Sequence, residues 1–414
     1  MPMYARSHMC IAMLLAIVAS TAAWAETGDM SAMRKVYAGR HRRIIMNNDG
    51  NDTLGTLPGE KHVIEAFLAR RTAELAGSQV DAIFYCDGIF DTYTHRSEES
   101  ETRRVASGGR KYWAGELIEK YGKDPLEIIT EWGHARGMEV FWSMRMNDSH
   151  DSSPAYAKLM PRWKKEHPEL MMAPKPTRFP YGSSRWSSVD YGKAEVRDKV
   201  FRILRDVATR YDVDGLEMDF LRHPMFFKPQ LLGEPVTREH RDMMTALVAR
   251  VRAMADEVGR KRGRPMLLAI RVPDSARYCK AIGLDIEAWL GRNLVDLVVG
   301  AGPIHLEPWK NLVALGKRYD VPVYAGLSPA RLEPRSGDRA TDLPLWRGEA
   351  LRAWDAGVDG VSTFNVFDPK NPIFREIGDP FVLRRLPRRY EFIPGNAGHL
   401  NRLEGGTGYV VRDE

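Results

Sequence analysis

The chain has 414 residues, with 61 Lys and Arg against 55 Asp and Glu, a net charge of +6 and 43% hydrophobic residues. That length and apolar content allow a large core and exclude a disordered chain. The basic residues are dispersed and no nucleic-acid module accompanies them, which excludes nucleic acid as a partner. The modest positive balance leaves two readings open: an ordinary basic protein, or one with an anionic ligand such as a sulfated or uronic-acid glycan.

Residues 1–25 put a weakly basic start (Arg6, His8) before an apolar run from Cys10 to Val18 and the small-residue site Ala23-Trp24-Ala25. This pattern predicts a secretory signal peptide cut after Ala25 and a secreted or periplasmic product. A spanning helix needs roughly 20 apolar residues; the run is shorter, so the protein is not expected to be membrane-embedded. Cys86 and Cys279 lie beyond it, far apart in the layout below, and are expected to be free thiols.

From residue 42 onward short apolar runs alternate with amphipathic stretches, as in a parallel sheet covered by helices. Strand one is RRIIMN, 42–47, followed by a helix over 60–75; strand two is VDAIFYC, 80–86. A helix over 124–136 ends at Gly137 and leads into strand three, MEVFWSMRM, 138–146. A long insertion, 147–192, rich in Pro, Ser, Trp and Tyr, precedes a helix over 193–212 and strand four, VDGLEMDFL. Strands five to eight are MLLAIRV (266–272), VDLVVGAG (295–302), VPVYAGL (321–327) and DGVSTFNVF (359–367), with helices over 238–258, 284–292, 308–319 and 345–356. Eight such units predict a single closed (β/α)8 TIM barrel of the α/β class over 26–380. Residues 381–414 form an extension packing across one end.

Barrels place their chemistry at the C-terminal ends of the strands. In strand four the two-residue period puts Glu217 and Asp219 on the side opposite Leu216, Met218 and Phe220, hence toward the axis. At about 3.3 Å per residue, Glu217 lies roughly 7 Å deeper and Asp219 sits at the mouth. Two carboxyls flanking a scissile bond are what glycoside hydrolysis requires. Asp219 and Glu217 are therefore the first candidate catalytic residues, unless they are structural partners of Arg222 or Arg271. Asp274 and Glu307 are the favoured second carboxyls, with Glu333 and Asp148 as others.

Polar side chains concentrate at the same strand ends: Asn47 with Asn48 and Asp49, Asp87, Arg145, Asn147, Asp148, His150, Arg222, His223, Arg271, Tyr324 and Asn365. Hydrogen-bonding side chains around a cleft suit a polyhydroxylated ring, and Trp142, with Trp186, Tyr181, Tyr93, Phe226 and Phe227, is the candidate aromatic platform. His150, His223 and His305 lack an HxH or HExxH spacing, so no metal is expected. No GxSxG elbow, Gly-rich dinucleotide fingerprint or phosphate loop occurs, and no cofactor is expected.

The stretch SSVDYGKAEVRDKVFRILRDVATRYDVDGLEMDFLRHP, 187–224, resembles the family-10-like glycosyl hydrolase group of bacterial (β/α)8 barrels, matching at Asp190, Glu195 to Arg197, Tyr211 to Gly215, Asp219, Arg222 and Pro224. WKKEHPEL, 163–170, is similar to a further phrase of that group. Ala194 and Phe220 depart from its usual Pro and Tyr. The resemblance implies a glycoside hydrolase with Asp219 as its acidic residue and a carbohydrate as its partner. On that reading Asp219→Asn abolishes turnover with the melting temperature nearly intact. Two alternatives remain: a catalytically silent glycan-binding barrel, and a lyase or metal-dependent sugar enzyme using His150, Arg145 and His223.

Overall fold

The computed structural model describes residues 29–49, 51–55, 62–102, 112–181, 185–303, 305–332, 341–391, 400 and 402–409. Residues 1–25, expected to be a signal peptide, and Glu333 lie outside them. Eight strands close a barrel: β1 Ile44–Asn48, β2 Val80–Tyr85, β3 Glu139–Arg145, β4 Gly215–Asp219, β5 Leu267–Pro273, β6 Leu297–Ala301, β7 Val323–Leu327 and β8 Gly360–Thr363. Every neighbouring pair is parallel, and β8 returns to β1 with Ile44 opposite Val361. All eight strands coincide with the apolar runs, because strands buried on both faces read as near-continuous hydrophobic sequence.

Alternation divides each strand between two cores. Leu216, Met218, Ile270 and Val298 face the helices in one large cluster, whereas Ile45, Phe84, Phe141, Leu267, Leu297 and Tyr324 fill the axis. The helix Ala194–Arg210 packs outside β4 and Arg238–Arg262 outside β5, and both start within a residue or two of their expected positions. Pro125–His134 is capped by Asp124, whose side chain accepts from the Glu127 amide.

The axis is apolar below and polar above. At the bottom the Phe84 and Phe141 rings stack at 4.5 Å, and Gly215 leaves room for them, since a Cβ there would meet the Phe141 ring at 2.3 Å. Higher up come Ser143 and Glu217, then Arg145, Asp219 and Arg271 at the strand ends. The lower end is closed by the helix Met30–Ala38, which was not apparent in the hydrophobic pattern. Its Arg34 reaches Asp296 at 2.8 Å.

Residues 380–391 pack on the helix Leu343–Asp355, with the Arg389 amide donating to Pro344 O at 2.8 Å. Leu400 and Arg402 instead reach the upper face of the barrel. Cys86 and Cys279 are buried and free. Among the described residues no helix is long and apolar enough to cross a membrane.

Candidate active site

The upper face holds a cleft of two lobes. The larger, of about 730 Å³, is bordered by Asp49, Tyr112, Arg145, Tyr156 and Asp368. The smaller, of about 310 Å³, is bordered by Arg185, Arg271, Tyr278, Phe364 and Arg402. His150, Arg222, Ala330 and Asn365 border both and form the waist between them. Two backbone outliers lie here: His223 has φ 56° and Asn365 φ 60°, left-handed conformations that non-glycine residues seldom adopt and that cluster at functional sites.

Asp219 is at the mouth end of β4 but beneath the cleft floor, 1% exposed. Its Oδ1 accepts from Arg271 Nε at 3.0 Å and from the amides of Leu221 and Arg222 at 2.9 and 3.1 Å, while Oδ2 accepts from Arg271 Nη2. The bidentate pair and the two amides fix the turn that carries Arg222 into the waist. Asp219 therefore holds the site together from below and borders neither lobe.

Glu217 is equally buried, and Ser143 donates to its Oε2. Burial pushes its carboxyl up to about 7, with the Arg271 charge opposing and the Asp219 charge adding to the rise. An acid whose folded-state value lies above its unfolded one binds its proton more tightly in the native state. Its contribution is fully present below about 4.5 and is lost as pH rises through about 7. Glu217→Gln is accordingly expected to be more stable than wild type above neutral pH, by on the order of 1–3 kcal/mol. Denaturant melts of the two proteins at several pH values check this; curves that run parallel from acid to alkaline pH would contradict it.

The waist is built around Asp148. Burial pushes this carboxyl up, but His150 and Arg145 more than reverse the effect and hold it well below the usual carboxylate range. His150 Nδ1 lies 2.8 and 3.0 Å from the two Asp148 oxygens, and Arg222 Nη2 lies 2.8 Å from His150 Nε2. A guanidinium can only donate, so Nε2 is the accepting nitrogen and the proton sits on Nδ1, donated to Asp148. The arrangement is an imidazole oriented by a buried carboxylate, with its lone pair covered by an arginine. Asp49 completes the group. Burial raises its carboxyl, and Arg145 and Arg222 reverse this and hold it below the ordinary value.

Asp148, His150 and His223 place ligand atoms within 4.8 Å of one another, a spacing that a metal ion could use. The hydrogen bonds give the three other duties. The Ser149 amide donates to His223 Nδ1 at 3.0 Å. His223 is held well below its normal value by burial, with Arg185 and Arg222 adding to the effect. A cation would also face Arg145, Arg185 and Arg222, so the trio fits proton handling better than metal binding.

The remaining sequence candidates divide. Asn365, Arg145, His223 and Arg271 border the cleft as expected. Asn47 points up the axis, fully enclosed, with Nδ2 donating to Phe84 O at 3.4 Å. Asn147 joins the insertion to the loop after β4 by donating to Val189 O and Met225 O.

Five of the expected site residues need correction. Trp142 faces the helices, not the axis, and donates to Asp87 Oδ1 at 2.9 Å. Asp87 is spent on that bond and on His95 at 2.8 Å. Tyr324 is at the start of β7, at the lower end, with its hydroxyl 3.5 Å from Arg42. Asp274 and Glu307 border neither lobe. Asp274 is paired with Arg331 at 2.9 Å, and burial pushes its carboxyl up to about 6 against that pairing. Glu307 is bonded to Ser275 and Asn311.

The other proposed platform aromatics, Trp186, Tyr93, Phe226 and Phe227, are core residues. The rings that do border the cleft are Tyr112, Tyr156, Tyr278, Phe364 and Phe367.

No family model matches the chain, and no curated protein matches it. Among solved structures, the PgaB (BpsB) glycoside hydrolase domain from Bordetella bronchiseptica is similar over 85% of this chain and 100% of that one, at 13% identity and a TM-score of 0.51. An alpha-L-fucosidase isoenzyme 2 from Paenibacillus thiaminolyticus is similar over 83% of this chain, at 12% identity and a TM-score of 0.49; this chain covers 49% of that one, about half its length. A glycoside hydrolase family 18 N-acetylglucosaminidase from Paenibacillus barengoltzii follows at 13% identity, a TM-score of 0.45 and 84% and 100% coverage. At these identities the first likeness bears on the barrel fold alone.

Proposed function

We propose that this chain is a carbohydrate-cleaving enzyme of the glycoside hydrolase type, which lays a glycan across the two lobes and cuts it at the waist. One observation carries the reading: the cleft crosses the C-terminal end of a closed (β/α)8 barrel, with the Asp148–His150 pair at its waist and Asp49 on its wall. That end is where barrel enzymes work. The likeness to a glycoside hydrolase domain and the resemblance of residues 187–224 to the family-10-like group support the class.

Hydrolysis needs a proton for the departing oxygen and a base or nucleophile for the incoming water. Asp49 supplies an ionised carboxylate as base or nucleophile, and His150, held by Asp148 through Nδ1, takes up a solvent proton at Nε2 once Arg222 moves off it and passes that proton to the departing oxygen. Asp219 acts one layer down by holding Arg271 and the Arg222 turn. Export after cleavage at Ala25 and a preference for anionic glycans belong to the same proposal.

The test is release of new reducing ends from neutral, uronic and sulfated polysaccharides by the folded protein. Binding without release from any of them would reduce the chain to a glycan-binding barrel.

A second reading is favoured by the contact between His150 Nε2 and Arg222. In β-elimination a base takes the proton on the carbon beside a sugar carboxylate, and cations hold the charge that develops on it. The C–O bond to the leaving sugar then breaks; the product carries a new double bond and no water is consumed. An ultraviolet-absorbing product would identify this route.

A further inference from the structure

We propose that the smaller lobe is a subsite for an oxyanion, a carboxylate or sulfate, carried on a sugar ring. The sugar part rests on the carbohydrate reading above; the anion part rests on the lobe itself. Four guanidiniums border it, those of Arg185, Arg222, Arg271 and Arg402, and among the described residues no Asp or Glu side chain does. Arg271 is answered by Asp219 from below. Among the described residues, neither Arg185 nor Arg222 has a carboxylate within ion-pair distance.

These cations come from four separate parts of the chain: the insertion, the turn after β4, strand β5 and the C-terminal segment. Their convergence is a product of the fold. Charge held out of water without a counter-charge is costly, and buried donors without acceptors add to the cost. Arg222 Nε and Arg271 Nη1 are two such donors. Burial, with repulsion between the arginines, pulls Arg222 below its ordinary value; Arg402 falls to about 10, and burial lowers Arg185 as well. An incoming anion removes every one of these penalties.

The walls identify what carries the anion. Phe364, Leu221, Pro273 and Leu306 give the lobe an apolar lining, and the Arg271 guanidinium carbon lies over the Phe364 ring, 3.9 Å from its centre. The lobe's volume of about 310 Å³ falls in the range of small-molecule sites, roughly 300–1,000 Å³. A bare inorganic ion would leave those walls wet, whereas the C–H faces of a pyranose cover them. The fork of a guanidinium matches a carboxylate or sulfate with two parallel bonds. Arg222 also covers His150 Nε2. An anion that draws Arg222 toward itself uncovers that lone pair, so the subsite couples substrate recognition to the proton carrier.

Titration calorimetry of the whole folded protein with glucuronate, glucose 6-sulfate, glucose and inorganic sulfate tests this, at low and high salt. At least one anionic sugar is expected to bind more tightly than glucose, with an affinity that falls as salt rises. The arm that binds distinguishes carboxylate from sulfate ester. Arg222→Gln and Arg185→Gln are each expected to weaken that binding at least tenfold without lowering the melting temperature, because each removes a cation with no carboxylate in ion-pair distance among the described residues. Glucose binding as tightly as the anionic sugars, or wild-type affinity in both folded variants, would overturn the subsite. Inorganic sulfate binding as tightly as the sugars, and through the same arginines, would overturn its sugar-borne nature. Cleavage of neutral glycans with no anion bound would remove the subsite and leave that reading standing.

Discussion

Asp219→Asn is expected to lose both stability and activity, about 3–5 kcal/mol of the first and on the order of 100-fold of the second. The sequence reading anticipated an inactive protein of normal stability. The structure changes that expectation because four donors converge on this carboxylate: Arg271 twice and the amides of Leu221 and Arg222. An Asn amide would turn a donor toward Arg271 Nη2 and leave a buried guanidinium unanswered.

Arg271 is 3% exposed and already carries one unbonded nitrogen, so it has little means of finding another partner. The activity loss follows from geometry, since the turn anchored by Asp219 sets where Arg222 enters the waist. Denaturant unfolding and turnover measured together check this. Replacing both partners, Asp219→Leu with Arg271→Met, should restore much of the stability but not the activity, because apolar residues of similar volume tolerate burial better than one stranded charge. Full stability in Asp219→Asn alone would show that the pair does not hold the turn.

His150→Ala is expected to show the opposite profile: a loss of about 10²–10⁴-fold in turnover with the fold nearly unaffected. The His150 side chain is 23% exposed and borders both lobes, so its removal opens no sealed cavity. Asp148 is a positioning residue, since it touches the imidazole and Arg145 but borders neither lobe. Asp148→Asn should therefore reduce turnover in the same direction and also displace the pH profile, because an amide no longer fixes the proton on Nδ1. Turnover and pH profile measured for both variants separate the roles. Normal turnover in His150→Ala would remove the imidazole from the reaction.

The barrel was legible in the sequence because parallel strands buried on both faces announce themselves as apolar runs at regular spacing. The alternation at Leu216, Glu217, Met218 and Asp219 also placed two acids on the axis correctly. The same alternation separates Trp142 from Ser143 and Arg145 and sends the tryptophan to the helix side of β3. Tyr324 precedes the end of its strand by three residues, so at about 3.3 Å per residue it belongs some 10 Å below the mouth.

Other features left no trace. Arg185 lies in an insertion without periodicity and Arg402 in a C-terminal segment of the same kind; only the closed fold brings them to Arg222. The pairing of Asp274 with Arg331, far apart in sequence, was equally hidden. The Asp148–His150 contact is local, two residues apart, and both residues were singled out. Its orientation became readable only with Arg222 in place above Nε2.

The most direct test of the account is mass-spectrometric product analysis of the folded protein incubated with uronic, sulfated and neutral oligosaccharides of defined length. Shortened products are expected from at least one anionic substrate. One added water across each cut bond would mean hydrolysis, and none would mean elimination at the same waist. Oligosaccharides recovered uncut from every incubation, by a protein that binds them, would contradict the claim that this cleft cleaves glycans.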